Sequence, residues 1–474
     1  MNSILWHDYE TTGISPARDR PVQFAAQRTD ESLQPLGDPV TLYCRLPPDA
    51  LPAPEACLVT GLLPQEINKK GVPEPEFAQQ LHKLFSQPGT CGAGYNSIRF
   101  DDEVTRYTFW RNFLDPYGRE WKQGNSRWDI IDMVRLVAFI KPDSLQWPRD
   151  DGDRISFRLE RLSEANGIEH ESAHDALSDV HATIGLARLI LQREPGLYDY
   201  CWKLRDKRYV DSRLNWAEQR PFLHISGNLP ADRGRAGLFM PLCRLKQNKN
   251  AFVAIELSDL PEDLLQLDEA EISRRIFSRS EELGEQGRLP IKQIYLNRSP
   301  VILPVNMLND ELARHWQFDL PACERNWQML RNSDLIHRNW DEVFSFEAKE
   351  DADPDLDLYG GFLPDQDRRL AERVQSLLPD ELRIESLQFG DPRMQQLLFR
   401  YRARNWPETL DDAEQQQWSD WLRSRLMQGH PYGDPLPDLM HRCQQLMQQH
   451  PDRQALLQQL LDHYESLLAG LAKA

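Results

Sequence analysis

Residues 3–13 read SILWHDYETTG and predict the first strand of the fold. Apolar residues at 4–6 begin the strand, and a D-x-E pair, Asp8 and Glu10, follows them. Because side chains on a strand alternate between its faces, Asp8 and Glu10 project side by side while Tyr9 turns toward the core. Two carboxylates this close repel each other unless they are protonated or neutralised by a cation, and hard divalent ions such as Mg²⁺ prefer oxygen ligands. Such pairs are also common on protein surfaces, so a metal site requires further ligands from the rest of the chain.

The segments after this strand alternate between strand and helix patterns. β-favouring residues between Pro and Gly breaks predict hairpin neighbours for the first strand, and apolar residues at helical spacing, such as Phe77, Leu81 and Phe85, predict helices. The predicted strands cover residues 22–29, 40–46 and 91–94, and the predicted helices cover residues 75–85, 101–113, 129–140 and 174–192. Interleaved strands and helices indicate an α/β domain with a mixed sheet over residues 1–194.

The rest of the chain changes in character twice. A chain of 474 residues is long enough for about three domains. Strand-like runs at 251–257, 291–296 and 299–304 indicate a small β-rich domain over residues 195–347. Residues 348–361 are acidic and broken by proline, which predicts a linker. Leu, Met and Trp at helical spacing then predict an α-helical domain over residues 362–474.

Composition excludes several classes of protein. The formal charge of −18 argues against a general DNA coat, although a local basic groove on an acidic body remains compatible with it. Seven scattered cysteines without a C-x-x-C pair argue against a disulfide framework and for a reducing cytoplasm, where each is most simply a small buried residue. The longest apolar runs are far short of the ~20 residues that span a bilayer. We also find no secretion signal at the start of the sequence.

A second acidic site follows the predicted strand at 91–94. Asp101 stands where a helix begins and comes directly after Phe100, which anchors the turn inward. Asp102 and Glu103 continue the first turn, where acids are ordinarily favourable partners of the helix dipole. For these two residues the dipole role and a metal role stay open.

A third site combines a histidine with an acid at the start of the helix at 174–192. His174 and Asp179 form an H-x-A-x-x-D pattern in which the histidine ends a loop and the aspartate lies one turn into the helix. Asp175 could compete with Asp179, but its place in the first turn favours stabilisation of the helix N-terminus. A histidine before a helix is usually a cap or a surface residue, and only its spacing to the acidic sites favours chemistry.

Together the three sites predict a metal-dependent phosphodiesterase. Convergence of Asp8, Glu10, Asp101 and Asp179 would hold two divalent ions ~3.5–4 Å apart, the arrangement used for in-line attack on phosphodiesters. His174, with a reference pKa of ~6.5, is suited to accept a proton from the attacking water. The sequence contains no G-x-S-x-G, P-loop or G-x-G-x-x-G motif that would favour another chemistry.

These motifs resemble the DEDD exonuclease superfamily in its histidine-containing branch, and more specifically the bacterial exonuclease I family. The segments that carry the resemblance are HDYET at 7–11, GYN at 94–96, RFDDEVTR at 99–106, SFRLE at 156–160, NGIEH at 166–170 and YRARN at 401–405. The resemblance implies a ribonuclease H-like exonuclease domain, an SH3-like middle domain and a helical C-terminal domain that close a groove around a DNA strand. It implies 3′→5′ degradation of single-stranded DNA to 5′-mononucleotides in repair and recombination.

The resemblance also implies the cofactor, the partners and the location. The cofactor would be Mg²⁺, with two ions per site and Mn²⁺ as a substitute. The partners would be single-stranded DNA and the acidic C-terminal tail of the single-stranded-DNA-binding protein. We expect a monomer in the bacterial cytoplasm, associated with the nucleoid when active and not with a membrane.

Candidate substrate contacts are arginines for phosphates and aromatic side chains for stacked bases, each stacked base being worth ~1–3 kcal/mol. Arg158 resembles the family's substrate-binding arginine, and Thr11 and Glu10 are placed to meet the 3′ end. Phe109 and Phe113 are assigned to the core by helical spacing. The other candidates are Arg106, Tyr117, Trp121, Arg135 and Tyr359. Tyr359 stands beside paired glycines and could equally anchor a loop.

An RNA exonuclease and a non-catalytic scaffold are the alternatives to this prediction. RNA could be the substrate, since a two-metal site does not by itself reject a 2′-hydroxyl, although the three-domain plan disfavours it. A non-catalytic nucleic-acid-binding scaffold would be favoured by loss of a site residue, and none is lost. Solvated acidic patches alone would require three motifs to coincide by chance in the right order.

Overall fold

The computed structural model describes residues 2–170, 175–345, 352–383, 386–429 and 431–471. The chain forms two compact units. The first contains Met1–Ser126, His170–His181 and Ala348–Ala474, and the second contains Arg127–Glu169 and Ala182–Glu347. The acidic sites of the sequence therefore belong to the first unit, which draws on both ends of the chain.

The strands of the described residues are β1 (Ser3–Thr11), β2 (Pro21–Thr29), β3 (Val40–Tyr43), β4 (Thr90–Gly94), β5 (Ser126–Asp129), β6 (Phe222–Ile225), β7 (Ala236–Arg244), β8 (Ala251–Glu256), β9 (Ile291–Tyr295) and β10 (Val301–Pro304). The α-helices are α1 (Pro54–Thr60), α2 (Pro64–Lys70), α3 (Glu74–Phe85), α4 (Asp101–Arg111), α5 (Ile131–Ile140), α6 (Leu159–Ala165), α7 (Ala176–Arg193), α8 (Pro195–Lys203), α9 (Lys207–Ser212), α10 (Glu269–Phe277), α11 (Ser280–Leu283), α12 (Asp310–His315), α13 (Leu320–Arg331), α14 (Trp340–Val343), α15 (Asp365–Val374), α16 (Pro392–Asn405), α17 (Asp412–Gln428), α18 (Leu436–Gln449) and α19 (Gln454–Leu471).

The sheet of the first unit contains β3, β2, β1 and β4 in that order. β1 runs antiparallel to β2 over its length and parallel to β4 from Ser3 to Trp6. The predicted mixed sheet is therefore confirmed, with β1 at its centre. The pairing of β1 with β4 ends at Trp6, so the segment that carries Asp8 and Glu10 has one strand edge available for other partners.

The helices of the first unit bury the predicted apolar positions against this sheet. Phe77, Leu81 and Phe85 of α3 are fully buried in one cluster with Leu5 and Tyr9 of β1. Each such side chain contributes roughly 1.5–3 kcal/mol when it leaves water. This packing holds β1 rigidly from the face opposite its two acids.

The C-terminal helices are tied to the rest of the first unit by buried charges. Asp355 is fully buried and accepts hydrogen bonds from Arg404 and Arg400, and the same Arg404 donates to Asp49 at 2.8 Å. These arginines hold the pKa of the Asp355 and Asp49 carboxyls below the usual range, despite the opposing effect of burial. The described part of the acidic stretch expected to be a linker is thus an anchored segment, because its acids meet the arginines of α16.

The second unit contains a five-stranded sheet with the order β10-β6-β7-β8-β9. Every neighbouring pair is antiparallel, and β7 has a register shift between Pro241 and Cys243. This confirms a β-rich middle part of the chain. Helices α10 to α14 interrupt or follow its strands.

All seven cysteines are free thiols, and six of them are buried. Cys243 differs from the expectation of burial, since it is only partly covered. Among the described residues, no helix combines the length and the apolar character needed to cross a membrane.

Candidate active site

Strand β1 presents its two acids on the face away from the core. Tyr9, which stands between them in the sequence, is buried, and its hydroxyl lies 2.9 Å from Thr105 Oγ1. The predicted alternation of faces is therefore confirmed. Asp8 and Glu10 consequently project together. The alternation that makes β1 part of the core on one side also concentrates charge on the other.

Asp101, the first residue of α4, is held directly at β1. The backbone N–H of Tyr9 donates to Asp101 Oδ1 at 3.2 Å, which uses a strand donor beyond the end of the β1–β4 pairing. Asp102, the next residue, points elsewhere and forms a buried salt bridge with Arg119. Of the adjacent acids in the first turn, one therefore belongs to the site and the other anchors the helix.

Asp179 reaches the site from the first turn of α7. Its N–H donates to the carbonyl oxygen of Asp175 at 3.1 Å, and Asp175 Oδ2 accepts from the N–H of Ser178 at 3.4 Å. Asp175 therefore caps the helix, as its position favours. The cap fixes the turn on which Asp179 stands.

The three acids form a group with the geometry of a metal site. One carboxylate oxygen from each of Asp8, Glu10 and Asp179 lies within 4.8 Å of the others. Asp101 is not in this group of three, but it is close enough that its charge raises the pKa of Asp8. Oxygen atoms gathered in this way are the ligands that Mg²⁺ and related hard cations prefer.

The electrostatics of the group also favour a bound cation. Burial, followed by the charge of Asp179, raises the pKa of Glu10 to about 9. Burial and the charges of Asp101, Asp179 and Glu10 raise the pKa of Asp8 well above its ordinary value. Without a cation Glu10 binds a proton near neutral pH, so a divalent ion would replace that proton and relieve the repulsion among the carboxylates. The residues present therefore fit a divalent metal.

A histidine that sequence reasoning did not assign lies against this group. His170 Nε2 is 2.5 Å from Asp179 Oδ1, and the imidazole is almost completely buried. His174, the predicted general base, lies outside the described residues. The NGIEH segment contains His170, but its sequence gives no spacing that separates the role of His170 from that of His174, four residues later.

A second cluster surrounds Arg106 on α4. Its guanidinium donates to Glu120 at 2.7 Å, to Glu103 at 2.7 Å and to the hydroxyl of Tyr359 at 2.9 Å. The side chain is buried and lies 5.2 Å from the ring centroid of Tyr117. Two carboxylates neutralise Arg106, and its other contacts hold Tyr359 and Tyr117 in place. Its contact with a phosphate stays a prediction.

The remaining candidates of the first unit differ in exposure, since Trp121 and Tyr359 are exposed and Thr11 is buried. Trp121 has 66% of its surface accessible, and Tyr359 has 53%. The hydroxyl of Thr11 donates to the carbonyl oxygen of Gly13 at 2.6 Å, which leaves its lone pairs to accept. Phe109 and Phe113 are buried, which confirms their assignment to the core.

Two predicted substrate contacts belong to the second unit. Arg135 donates to Asp132 at 2.5 Å and lies 5.6 Å from the ring centroid of Phe157. Arg158 is exposed and stands immediately before α6. Arg158 directly follows Phe157 in the sequence. An available guanidinium and an aromatic ring therefore stand side by side in the chain of that unit.

Comparison with known protein families matches three models in order along the chain. The Exonuclease model covers residues 5–187, the Exonuclease I SH3-like domain covers residues 205–346 and the Exonuclease I C-terminal domain covers residues 352–467. These matches confirm the predicted succession of an α/β exonuclease domain, an SH3-like domain and a helical C-terminal domain.

Full-length relatives and solved structures agree with the family models. The chain is 39% identical to exodeoxyribonuclease I of Escherichia coli over 99% of its own length and 98% of the relative, and 38% identical to that of Haemophilus influenzae over 98% and 99%. A crystal structure of E. coli exonuclease I with a dA16 oligonucleotide matches 98% of this chain and 100% of that chain with a TM-score of 0.92 at 39% identity.

Two further structures match with similar quality. The zinc-bound form of an E. coli exonuclease I–ssDNA complex has a TM-score of 0.92 at 38% identity, over 99% of this chain and 100% of that chain. A structure of SSB/exonuclease I in complex with an inhibitor has a TM-score of 0.90 at 38% identity, over 98% and 100%. From the full-length identity and the three successive domains, the chain belongs to the exodeoxyribonuclease I family of nucleases.

Proposed function

We propose that this exonuclease degrades single-stranded DNA from its 3′ end to 5′-mononucleotides with Mg²⁺, in DNA repair and recombination. The observation that carries the proposal is the group of Asp8, Glu10 and Asp179, whose oxygens lie within 4.8 Å of one another. Raised pKa values at Asp8 and Glu10 support it, because they reflect burial and then the repulsion of neighbouring carboxylates, and a cation offsets both effects.

The acids of the first unit would hold the metal. Asp8, Glu10 and Asp179 would be direct ligands, and Asp101 would complete the set for a second ion from the start of α4. Bound divalent ions supply Lewis acidity that activates a water and stabilises the leaving oxygen. The donor set is oxygen-rich, which favours Mg²⁺ and allows Mn²⁺ to replace it.

Other side chains would handle the proton and the substrate. His174 would accept the proton of the attacking water near neutral pH, and His170 would hold the carboxylate of Asp179. Thr11 and Glu10 would meet the terminal nucleotide, and Arg158 and Arg135 would bind phosphates. Tyr117, Trp121 and Tyr359 offer aromatic faces on which bases can stack, and Arg106 carries the last of the proposed strand contacts.

Single-stranded DNA as the substrate is supported by the relatives. Two of the matched E. coli structures are complexes with a dA16 oligonucleotide and with ssDNA. We further propose that this chain docks the acidic tail of a single-stranded-DNA-binding protein, supported by the related SSB/exonuclease I structure. We propose that it acts as a monomer in the bacterial cytoplasm, at the nucleoid.

The division of labour along the chain follows from this proposal. Residues 1–194 would carry the chemistry, residues 195–347 would close over the DNA strand, and residues 362–474 would complete the groove. The segment at 348–361 would join the last two parts.

One assay tests the function. The protein is incubated with 5′-labelled single-stranded DNA, duplex DNA and RNA, each with Mg²⁺ or with chelator. We expect a ladder of 3′-shortened products from single-stranded DNA with Mg²⁺ alone. Equal shortening of RNA would show that the enzyme does not select DNA and would overturn DNA as its specific substrate. No shortening with any divalent metal would overturn the proposal as a whole.

Two variants separate cleavage from binding in the same assay. Asp8→Ala and Asp179→Ala should abolish cleavage while DNA binding remains measurable by fluorescence anisotropy. Variants that lose binding and cleavage together would point to a defect of folding, which a thermal unfolding curve would reveal.

A further inference from the structure

Gln23 on β2 lies directly opposite Glu10 on β1. The two residues are cross-strand partners in the antiparallel pairing of these strands. The side chain of Gln23 is buried, with 2% of its surface accessible. A buried amide is costly unless its donors and its acceptor find partners, so its contacts carry information about its role.

The amide of Gln23 is engaged at both ends. Its Nε2 donates to Asp175 Oδ1 at 3.0 Å and to the hydroxyl of Tyr43 at 3.2 Å. Its Oε1 accepts from the backbone N–H of Ala176 at 3.4 Å. Two of these three partners belong to the cap and the first residue of α7, while the third lies on β3 of the sheet.

These contacts connect the two elements that carry the metal ligands. Asp175 is the cap of α7, and its carbonyl oxygen accepts from the N–H of Asp179 at 3.1 Å. Gln23 therefore fixes the first turn of α7 to the strand position beside Glu10. Glu10 is thus connected to Asp179 in three steps. Glu10 pairs with Gln23 across the strands, the amide of Gln23 bonds to Asp175, and one helical turn leads from Asp175 to Asp179.

A tether is needed here because the elements repel each other. A carboxylate oxygen of Asp179 lies within 4.8 Å of one from Glu10, so the start of α7 brings negative charge against β1. A neutral amide donates to the carboxylate of Asp175 and accepts from a backbone N–H without adding charge. A glutamate at this position would remove the donor and add another negative charge beside Asp175.

We propose that Gln23 is a positioning residue that sets the distance of Asp179 from Glu10 and Asp8 and thereby the metal affinity of the site. The inference rests on the proposed metal-dependent function and deepens it. Gln23 acts through Asp175 and Ala176, as residues behind the ligands of a metal commonly do, and their loss typically costs roughly 10–100-fold in affinity.

The strand supplies a matched control. Gln27 is the same residue type on the same strand and the same face, four residues away, and it is also buried. Its Nε2 donates to the carbonyl oxygens of Arg28 at 2.9 Å and Gly37 at 3.1 Å, and its cross-strand partner is Trp6. Gln27→Met thus removes a buried amide from β2 without touching α7.

The experiment measures Mn²⁺ binding to the full chain by electron paramagnetic resonance, together with thermal unfolding in chelator and kinetics on single-stranded DNA. We expect Gln23→Met to weaken Mn²⁺ binding roughly 10–100-fold and to lower kcat at fixed Mn²⁺ while KM for DNA is unchanged. Gln27→Met should bind Mn²⁺ as the unsubstituted protein does. Gln23→Glu provides a second variant of nearly the same shape, and we expect it to weaken binding as well.

Three outcomes would overturn the inference. Mn²⁺ affinity of Gln23→Met and Gln23→Glu equal to that of the unsubstituted protein would show that Gln23 does not position the ligands. Equal losses in Gln23→Met and Gln27→Met would show a general effect of weakening β2. Absence of Mn²⁺ and Mg²⁺ binding in the unsubstituted protein would overturn the metal site itself, an outcome distinct from the other two.

Discussion

Asp102 and Arg119 form a salt bridge of 2.6 Å in which each side chain is only 1% exposed. Asp102 directly follows Asp101. The Oδ1 atom of Asp101 accepts a hydrogen bond from the N–H of Tyr9, between the metal-ligand candidates Asp8 and Glu10. Arg119 compensates the burial of Asp102 and lies 4.5 Å from the ring centroid of Phe85. The first turn of α4 is therefore fixed by one acid so that its neighbour can serve the site.

Removal of Arg119 should destabilise the protein strongly. Arg119→Met removes the cation that pairs with the buried Asp102, and breaking a buried pair in this way costs about 3–5 kcal/mol. Urea unfolding in the presence of Mg²⁺ would measure the loss. Lys122→Met is the control, since Lys122 pairs with Asp115 at 2.7 Å on the surface and should cost less than about 1 kcal/mol. Equal effects of the two variants would contradict the anchoring role.

The metal-free protein should lose stability as the pH rises from about 7 to 9, above the range in which its buried histidines titrate. The folded state raises the pKa of Glu10 from 4.5 to about 9, so in this range it binds more protons than the unfolded state does. Stability from this group is fully present below the unfolded pKa and is lost as the pH rises through the folded pKa. Melting temperatures measured in chelator across this range would show the fall.

Divalent ions should reverse that dependence. Mg²⁺ replaces the protons, so the difference in melting temperature with and without Mg²⁺ should grow as the pH rises. The depressed pKa values of Asp49 and Asp355 act in a more acidic range and leave this window unaffected. A chelated protein with a constant melting temperature between pH 7 and 9 would contradict the prediction.

Asp8→Asn should inactivate the enzyme and stabilise it. The substitution removes a metal ligand, which should lower the cleavage rate by more than about 10²-fold. It also removes a charge that repels Asp101, Asp179 and Glu10, so the metal-free protein should gain roughly 1 kcal/mol. Unfolding in chelator and single-turnover cleavage would measure the two effects. Asp38→Asn, at an exposed loop position, should change neither.

Loss of His170 and loss of His174 should respond differently to the metal concentration. His174→Ala should lower the rate by ~10²–10⁴-fold at saturating Mg²⁺ if His174 is the general base. His170→Ala should act through Asp179, so that a higher Mg²⁺ concentration restores most of the rate. Rate measurements over a Mg²⁺ titration distinguish these cases. An unchanged rate in His174→Ala would remove that residue from the mechanism.

Most of the secondary structure near the site could be predicted because local patterns determine it. The period-two pattern of β1 placed Asp8 and Glu10 on one face, and the helical spacing of Phe77 and Phe85 placed α3 against the other. Capping chemistry distinguished Asp175 from Asp179 correctly, since a cap depends on position within one turn.

Contacts between distant segments could not be predicted in the same way. Nothing local to Arg106 indicates that Glu120 and Tyr359 would occupy its guanidinium, because Tyr359 is 253 residues away. The acidic stretch that includes Asp355 has the composition of a linker, and only the arginines of α16 show why it is buried.

The sequence by itself determined the chemistry of this protein: an oxygen-rich acidic site on an α/β domain, followed by β-rich and helical parts. Residue type and short spacings suffice for that, since they decide which atoms can bind a cation and which face of a strand or helix bears them. The tertiary structure alone decided how the acids are held at their distances. The N–H of Tyr9 positions Asp101, and the amide of Gln23 joins β2 to the cap of α7. These contacts join residues 92 and 152 positions apart in the sequence. The carboxylates repel one another, and no local preference of the chain would keep them together, so contacts between distant segments must do so.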